Sequence, residues 1–201
     1  MKLEKRSRSY ALGLGYGAGI FLVISGLWAA VGIAAIGLGG ANWLYLIGIF
    51  FVILGLVFAI YNYLQRVRRL PEDTLSEEIQ ADYQRANMRL GIATAIEAIS
   101  VAVGAVILAA ALDRPEWIGP YVAVVVGLHL IAVAPIYGTQ NDYWLAGGIV
   151  LVTLIAIFVY PKVYPGWNAL IGFTTMILLW LSVLGRIGLG SRVVRVIQSD
   201  S

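Results

Sequence analysis

The sequence predicts an all-α polytopic membrane protein, with six transmembrane helices arranged as three antiparallel hairpins and both termini in the cytoplasm. The first reason is composition, because 60% of the 201 residues are hydrophobic and only 12% are charged. That charged share is about half of what soluble domains have. The second reason is a set of six apolar stretches, each near the ~20 residues that an α-helix needs to cross a bilayer. The third is the position of the basic residues between these stretches.

The six predicted spans occupy most of the chain, which is therefore expected to form a single transmembrane domain. The first span follows a basic N-terminal segment, as a secretory signal would. Its apolar stretch is far longer than the ~7–15 residues of such a signal, so we interpret it as an uncleaved helix. The spans are residues 11–38, 43–64, 90–112, 118–137, 143–160 and 167–187, and a cytoplasmic segment, 65–89, joins the second to the third.

Lys and Arg residues predict the orientation, because the cytoplasmic loops of membrane proteins collect them. With the N-terminus in the cytoplasm, twelve basic residues fall on the inner side and two, Arg114 and Lys162, on the outer side. The prediction is a multi-pass protein of the cell membrane, with both termini cytoplasmic. The inner twelve are Lys2, Lys5, Arg6, Arg8, Arg66, Arg68, Arg69, Arg85, Arg89, Arg186, Arg192 and Arg195.

The long loop between the second and third spans is expected to contact the membrane surface. Arg66, Arg68 and Arg69 at its start are predicted to bind the headgroups of anionic lipids. Thr74 and Glu77 then have the spacing of a capping box. Apolar residues at helical spacing follow, so an amphipathic helix is predicted to lie along the membrane and lead into the third span. The alternative is that this helix docks a soluble partner.

Away from the ends of the predicted spans there are two ionisable residues, Glu97 in the third and His129 in the fourth. Such residues are rare in bilayers and usually functional. Glu97 is eight residues past Arg89, and His129 is eight residues before Tyr137, so both are about 12 Å from the cytoplasmic interface. Because the two helices are consecutive and antiparallel, a Glu97–His129 hydrogen bond is expected. Thr94 and Ser100, one turn on either side of Glu97, are expected to bond to it or to line the same face.

Two interpretations of this pair stay open. In the first, the pair is a proton-responsive element of a protein that transports or senses a small solute or protons, since histidine titrates near physiological pH. In the second, it is a polar clasp between two helices of a structural, assembly or stress-related membrane protein. An enzyme is the least favoured class. With one His and no Cys, and without a nucleotide-binding or Ser–His–Asp motif, the sequence predicts no catalytic residue, metal or cofactor.

The predicted partners are the lipid bilayer and its anionic lipids, and nucleic acid is not expected. The net charge of +3 comes from basic residues that flank apolar spans, where they determine topology. Gly13, Gly15, Gly17 and Gly19 form two overlapping GxxxG patterns. Such patterns permit close helix packing, either inside the bundle, which we prefer, or in a homo-oligomer.

Part of the fourth and fifth spans resembles small multi-pass prokaryotic membrane proteins of unassigned function. In their pattern, a Gly-x-His helix is followed by a short loop and by a helix that begins with aromatic residues. Leu130 stands where that pattern has an aromatic residue. The resemblance implies a multi-pass fold and no particular activity. The hairpin layout is also similar to that of small acid-stress membrane proteins of bacteria. The matching residues are Val126, Gly127, Leu128, His129, Ala134, Ile136, Tyr137, Tyr143 and Gly147.

Overall fold

The structure, a computed structural model, describes residues 7–37, 39, 42–72, 77–137, 140–159 and 166–199. Over these residues the chain forms six α-helices, and each is long and apolar enough to cross a membrane. The protein is therefore an all-α, multi-pass integral membrane protein, as the sequence predicts. The helices are α1 (Arg8–Ile36), α2 (Trp43–Arg68), α3 (Glu77–Val106), α4 (Ile118–Tyr137), α5 (Gln140–Val159) and α6 (Gly166–Ser199). A π-helical turn (Ile107–Ala111) and a 3-10 turn (Pro115–Trp117) connect α3 to α4.

The segment that joins the second and third spans differs from the prediction. A helix does lead into the third span, but it is continuous with that span: α2 continues to Arg68, and α3 is one helix from Glu77 to Val106. The physical reason is local, because 77–90 is rich in good helix formers and has no Gly or Pro. The half of this segment that precedes the third span therefore extends α3. The Thr74 side of the predicted capping box lies outside the described residues.

The two ends of the bundle differ in charge. We call the end with Arg8 and Ser199 the terminal end, and the end with Ile36 and Gly166 the far end. Of the ten basic residues in the described ranges, nine lie in the terminal half and one, Arg114, lies at the far end. Lys2, Lys5, Arg6 and Lys162 are outside those ranges. The nine are Arg8, Arg66, Arg68, Arg69, Arg85, Arg89, Arg186, Arg192 and Arg195.

Helix α6 is the centre of the bundle, because it packs against α1, α2, α4 and α5. Its most extensive contact is with α1, where Gly172 lies against the backbone of Gly32. Farther along the same contact, the Trp180 indole Nε1–H donates to Ser25 Oγ at 3.0 Å. The first and last helices are thus locked together, so the three hairpins are not independent units. Small residues at the crossing allow the two backbones to approach this closely.

The peripheral helices are α2 and α3. Helix α2 lies on α1 and α6, and Tyr63 donates its hydroxyl hydrogen to the Ala11 carbonyl of α1 at 2.6 Å. Helix α3 packs mainly on α4, and none of its residues from 87 to 106 is buried. Its large side chains, such as Ile96 and Ile99, are exposed in the protein alone. In a bilayer these side chains face lipid, which is their favourable solvent.

The glycines of α1 do not act as one surface. A side chain at Gly15 would collide with Leu64 of α2, and a side chain at Gly17 would collide with α6. At Gly13 and Gly19 there is no atom within 4 Å of an added Cβ. The middle two glycines of the run therefore serve close packing within the bundle, which is the interpretation we preferred from the sequence. The outer two face open space.

Candidate functional site

The register between α3 and α4 places Glu97 opposite His129. Two contacts set this register: the Tyr121 ring lies against Gly104, where a side chain would collide with it, and the Tyr121 hydroxyl donates to the Ser100 carbonyl at 2.9 Å. One to two helical turns farther along, His129 Nδ1 is 3.3 Å from Glu97 Oε2. The structure thus brings together the two ionisable residues that the sequence places at matched depth.

The Glu97–His129 pair is largely enclosed. The exposed fractions are 14% for the His129 side chain and 20% for that of Glu97. An acid and a base at this distance share a proton as a neutral hydrogen bond or as an ion pair. A carboxylate with so little water needs hydrogen-bond donors or a positive charge nearby. His129 supplies one such group to Oε2, which leaves the other carboxylate oxygen for a further partner.

A cleft of about 520 Å³ reaches Glu97 from the far half of the bundle. Helices α1 and α3 form its two sides, α4 forms its back, and Asn168 of α6 stands near its far end. We call it the α1–α3 cleft. Its walls are mainly aliphatic, with Leu27 and Val31 on one side and Val122 at the back. The only carboxylate among its lining residues is Glu97.

The two hydroxyl residues predicted to flank Glu97 have different positions. Thr94 lines the α1–α3 cleft beside Glu97. Ser100 is not among the residues that line the cleft, and its backbone carbonyl instead accepts the hydrogen bond from Tyr121. The predicted polar site therefore consists, at the cleft, of Glu97 and Thr94, with His129 behind the carboxylate.

A second buried pair, Asp142 and Arg186, was missed by the sequence analysis. Arg186 Nη2 lies 2.7 Å from Asp142 Oδ1 and 2.8 Å from Oδ2, and the side chains are only 5% and 1% exposed. The spans predicted from the sequence leave Asp142 in a loop and Arg186 among the cytoplasmic charges, so only Glu97 and His129 are expected as ionisable residues deep inside the bundle. A usable signal existed: opposite charges stand at the terminal-side ends of two consecutive apolar stretches, the predicted antiparallel spans 143–160 and 167–187.

The surroundings of Arg186 are built to hold its guanidinium inside the bundle. The guanidinium carbon lies 4.5 Å from the centre of the Phe21 ring, in a cation–π contact. A Cβ at Gly17 would lie 2.7 Å from Arg186 Nη1. Glycine at this position of α1 therefore provides the space that the arginine occupies. These contacts and the Asp142 carboxylate join α1, α5 and α6 in the terminal half.

The three arginines predicted to contact lipid headgroups stand at the terminal end of α2. Arg66, Arg68 and Arg69 are exposed, whereas Val67 between them is fully buried. This arrangement presents their guanidinium groups to the surroundings of the bundle. Their binding to anionic lipid stays a prediction.

Within the described part of the chain, no group of three or more His, Cys, Asp or Glu side chains is placed to hold a metal ion. Comparison with known proteins adds no assignment, because no family model, no curated protein and no solved structure matches the chain.

Proposed function

We propose that the protein is a transporter that moves a small solute through the α1–α3 cleft and couples this movement to protons at the Glu97–His129 pair. The observation that supports the proposal is the contact between the cleft and Glu97, whose carboxylate also meets His129 at 3.3 Å. A solute in the cleft and a proton on the pair would therefore affect each other. Intramembrane ionisable residues that face a cavity typically mark such pathways.

The electrostatic surroundings favour Glu97 and His129 as the groups that respond to protons. Helices α5 and α6, which pack against α4, bring Asp142 and Arg186 into the same half of the bundle. Those two opposite charges are paired with each other at 2.7 Å. Glu97 lines the cleft and His129 contacts its carboxylate, so adding one proton to this pair changes the charge that a bound solute meets.

The orientation proposed for the protein places the terminal end in the cytoplasm, because the basic residues are concentrated there. The cleft would then extend from the middle of the bilayer towards the outer side. The cleft lies in the far half of the bundle and therefore on the side away from the cytoplasm. Exchange between the two sides would therefore need a rearrangement of α3, the helix with the least buried surface.

A clasp function is the second candidate, and one observation favours it. Residues 87–106 of α3 include no buried side chain, so a polar bond to α4 is a means of holding this helix in place. Interhelical hydrogen bonds in membranes contribute on average about 0.6 kcal/mol. Under this alternative, Glu97 and His129 affect stability and have no part in the movement of a solute.

The test is proton flux into liposomes that contain the purified protein and a trapped pH-sensitive dye. Under an imposed pH gradient, we expect the wild type to acidify the lumen faster than empty liposomes, and Glu97→Gln to lower this excess rate at least tenfold. The matched control is Glu72→Gln, because the Glu72 side chain is 94% exposed. His129→Gln is expected to behave like Glu97→Gln.

Three outcomes would decide between the candidates. A wild-type rate equal to that of empty liposomes would overturn proton movement at the Glu97–His129 pair, on which the proposed coupling depends. A Glu97→Gln rate equal to the wild-type rate would remove Glu97 from the mechanism. A lower free energy of unfolding for Glu97→Gln without any change in flux would favour the clasp. The double variant Glu97→Gln/His129→Gln keeps hydrogen-bonding groups, so its stability should be near wild type while its flux is lost.

A further inference from the structure

The ends and walls of the α1–α3 cleft limit the chemistry of its ligand. One end has the Glu97 carboxylate and the Thr94 hydroxyl, and the far end has the Asn168 amide. Between them the walls are aliphatic, with Leu27, Val31 and Val122 among the lining residues. A hydrated inorganic cation would lose its water against such walls without replacement. An apolar molecule with a positively charged, hydrogen-bond-donating end matches both the walls and the carboxylate.

The length of the cleft sets the size of this molecule. Glu97 lies against His129, and Asn168 Oδ1 lies against Gly119, so both ends can be placed on α4. Ten residues separate Gly119 from His129, which corresponds to about 15 Å along a helix. The cleft volume of about 520 Å³ is within the usual range for small-molecule sites, about 300–1,000 Å³. A medium-length alkyl chain fits these dimensions.

The side of the cleft indicates how a ligand enters. Leu27, which lines the cleft, is 66% exposed, and Thr94 on the α3 side is also exposed. Both residues lie in helices that cross the membrane, so their exposed surfaces face lipid. A ligand that dissolves in the bilayer can thus reach the cleft sideways, between α1 and α3.

From these observations we propose that the cleft binds the protonated form of a hydrophobic amine, taken up laterally from the bilayer, with the ammonium group on Glu97. The proposal rests on the proposed function, for which it names the substrate class. The ammonium group and a proton compete for the same carboxylate, because either one neutralises it. Binding therefore weakens as the pH is lowered. Fatty acid anions are excluded by repulsion from Glu97, and neutral alcohols gain nothing from its charge.

The experiment is photolabelling in proteoliposomes with decylamine that has a diazirine at the end of its chain, followed by mass spectrometry of the labelled residues. The reference site is Phe158 of α5, which is 77% exposed and does not line the cleft. We expect the wild type to be labelled at Val31 and Val122 at least fivefold above the level at Phe158. Glu97→Gln should reduce the cleft signal to the Phe158 level, and lowering the pH should reduce it in the wild type.

Two matched comparisons keep the proposal testable if Glu97→Gln folds poorly. Val122→Phe fills the back of the cleft and leaves Glu97 in place, so it should abolish cleft labelling by steric exclusion. The diazirine analogue of decanol has the same chain without the positive charge. It should label the cleft no more than it labels Phe158, and equally in wild type and Glu97→Gln.

Some results would overturn the proposal. Equal cleft labelling by the amine and the alcohol would show that the cleft holds any alkyl chain, such as an acyl chain of lipid. Stronger labelling by the decanoate analogue than by the amine would reverse the charge assignment. Failure of this inference is distinguishable from failure of the proposed function. Proton flux that needs Glu97, without amine labelling, would refute the ligand class alone, whereas Glu97-dependent labelling without flux would refute transport alone.

Discussion

Replacement of Asp142 by Asn should destabilise the protein strongly, because it leaves the Arg186 guanidinium charged inside the bundle. In the structure, Arg186 Nη2 lies within 2.8 Å of both carboxylate oxygens of Asp142, and neither side chain is more than 5% exposed. Water does not reach the pair to compensate for the missing charge. The amide of Asn keeps the size of the side chain, so the effect isolates the charge.

The magnitude follows from burial. Removal of one partner from a buried ion pair costs about 3–5 kcal/mol, because the other charge is left without compensation. The bundle contains a matched control in the Asp82–Arg85 pair, with a nearly identical separation of 2.6 Å but an arginine side chain that is 62% exposed. Ion pairs three or four residues apart on a helix contribute about 0.2–0.5 kcal/mol. Asp82→Asn should therefore have an effect several times smaller than Asp142→Asn.

The assay is reversible unfolding in mixed micelles by titration with SDS, followed by tryptophan fluorescence. The double variant Asp142→Asn/Arg186→Gln removes both charges and should lose less stability than Asp142→Asn alone, since neither charge of the pair is left without the other. Equal losses for Asp142→Asn and Asp82→Asn would refute the reasoning. The reasoning would also be refuted if the double variant lost as much free energy of unfolding as the two single variants lose together.

Two further predictions concern helix packing and use the same assay. Gly172→Ala should cost about 1–3 kcal/mol, because its Cβ would lie 2.5 Å from the Gly32 backbone nitrogen. In the control Gly188→Ala the added Cβ meets no atom within 4 Å, so this change should be neutral or stabilising. An equal cost for both variants would contradict the close crossing of α1 and α6. Tyr63→Phe should cost about 1 kcal/mol through loss of the bond to the Ala11 carbonyl, and an unchanged stability would show that this bond contributes nothing.

Much of the architecture is predictable from the sequence, because a transmembrane helix is a local property. An apolar stretch of sufficient length must satisfy its backbone hydrogen bonds internally, and a helix achieves this without any other part of the chain. The six predicted spans accordingly appear as six helices. The helix predicted in 65–89 from a capping box and apolar residues at helical spacing is part of α3, because the high helix propensity of residues 77–90 continues α3 into that segment.

The candidate site was only half predictable. Glu97 and His129 lie on consecutive helices, so matched depth along the chain was sufficient to bring them together in the prediction. Asp142 and Arg186 satisfy the same geometric rule, but each stands near the end of an apolar stretch, where a charge is normally solvated. Burial of that pair depends on Phe21 and Gly17, which come from a helix more than a hundred residues away from Asp142 in sequence.

The sequence by itself determined where the chain crosses the bilayer, which end of the bundle is positively charged, and which two ionisable residues of the middle hairpin meet. The tertiary structure decided that α1 packs against α6, that Asp142 and Arg186 are enclosed, and that a cleft between α1 and α3 reaches Glu97. The physical reason is that hydropathy and charge are read residue by residue along the chain. The choice of neighbouring helices instead depends on small residues, such as Gly32 and Gly172, that become close only when the bundle has formed.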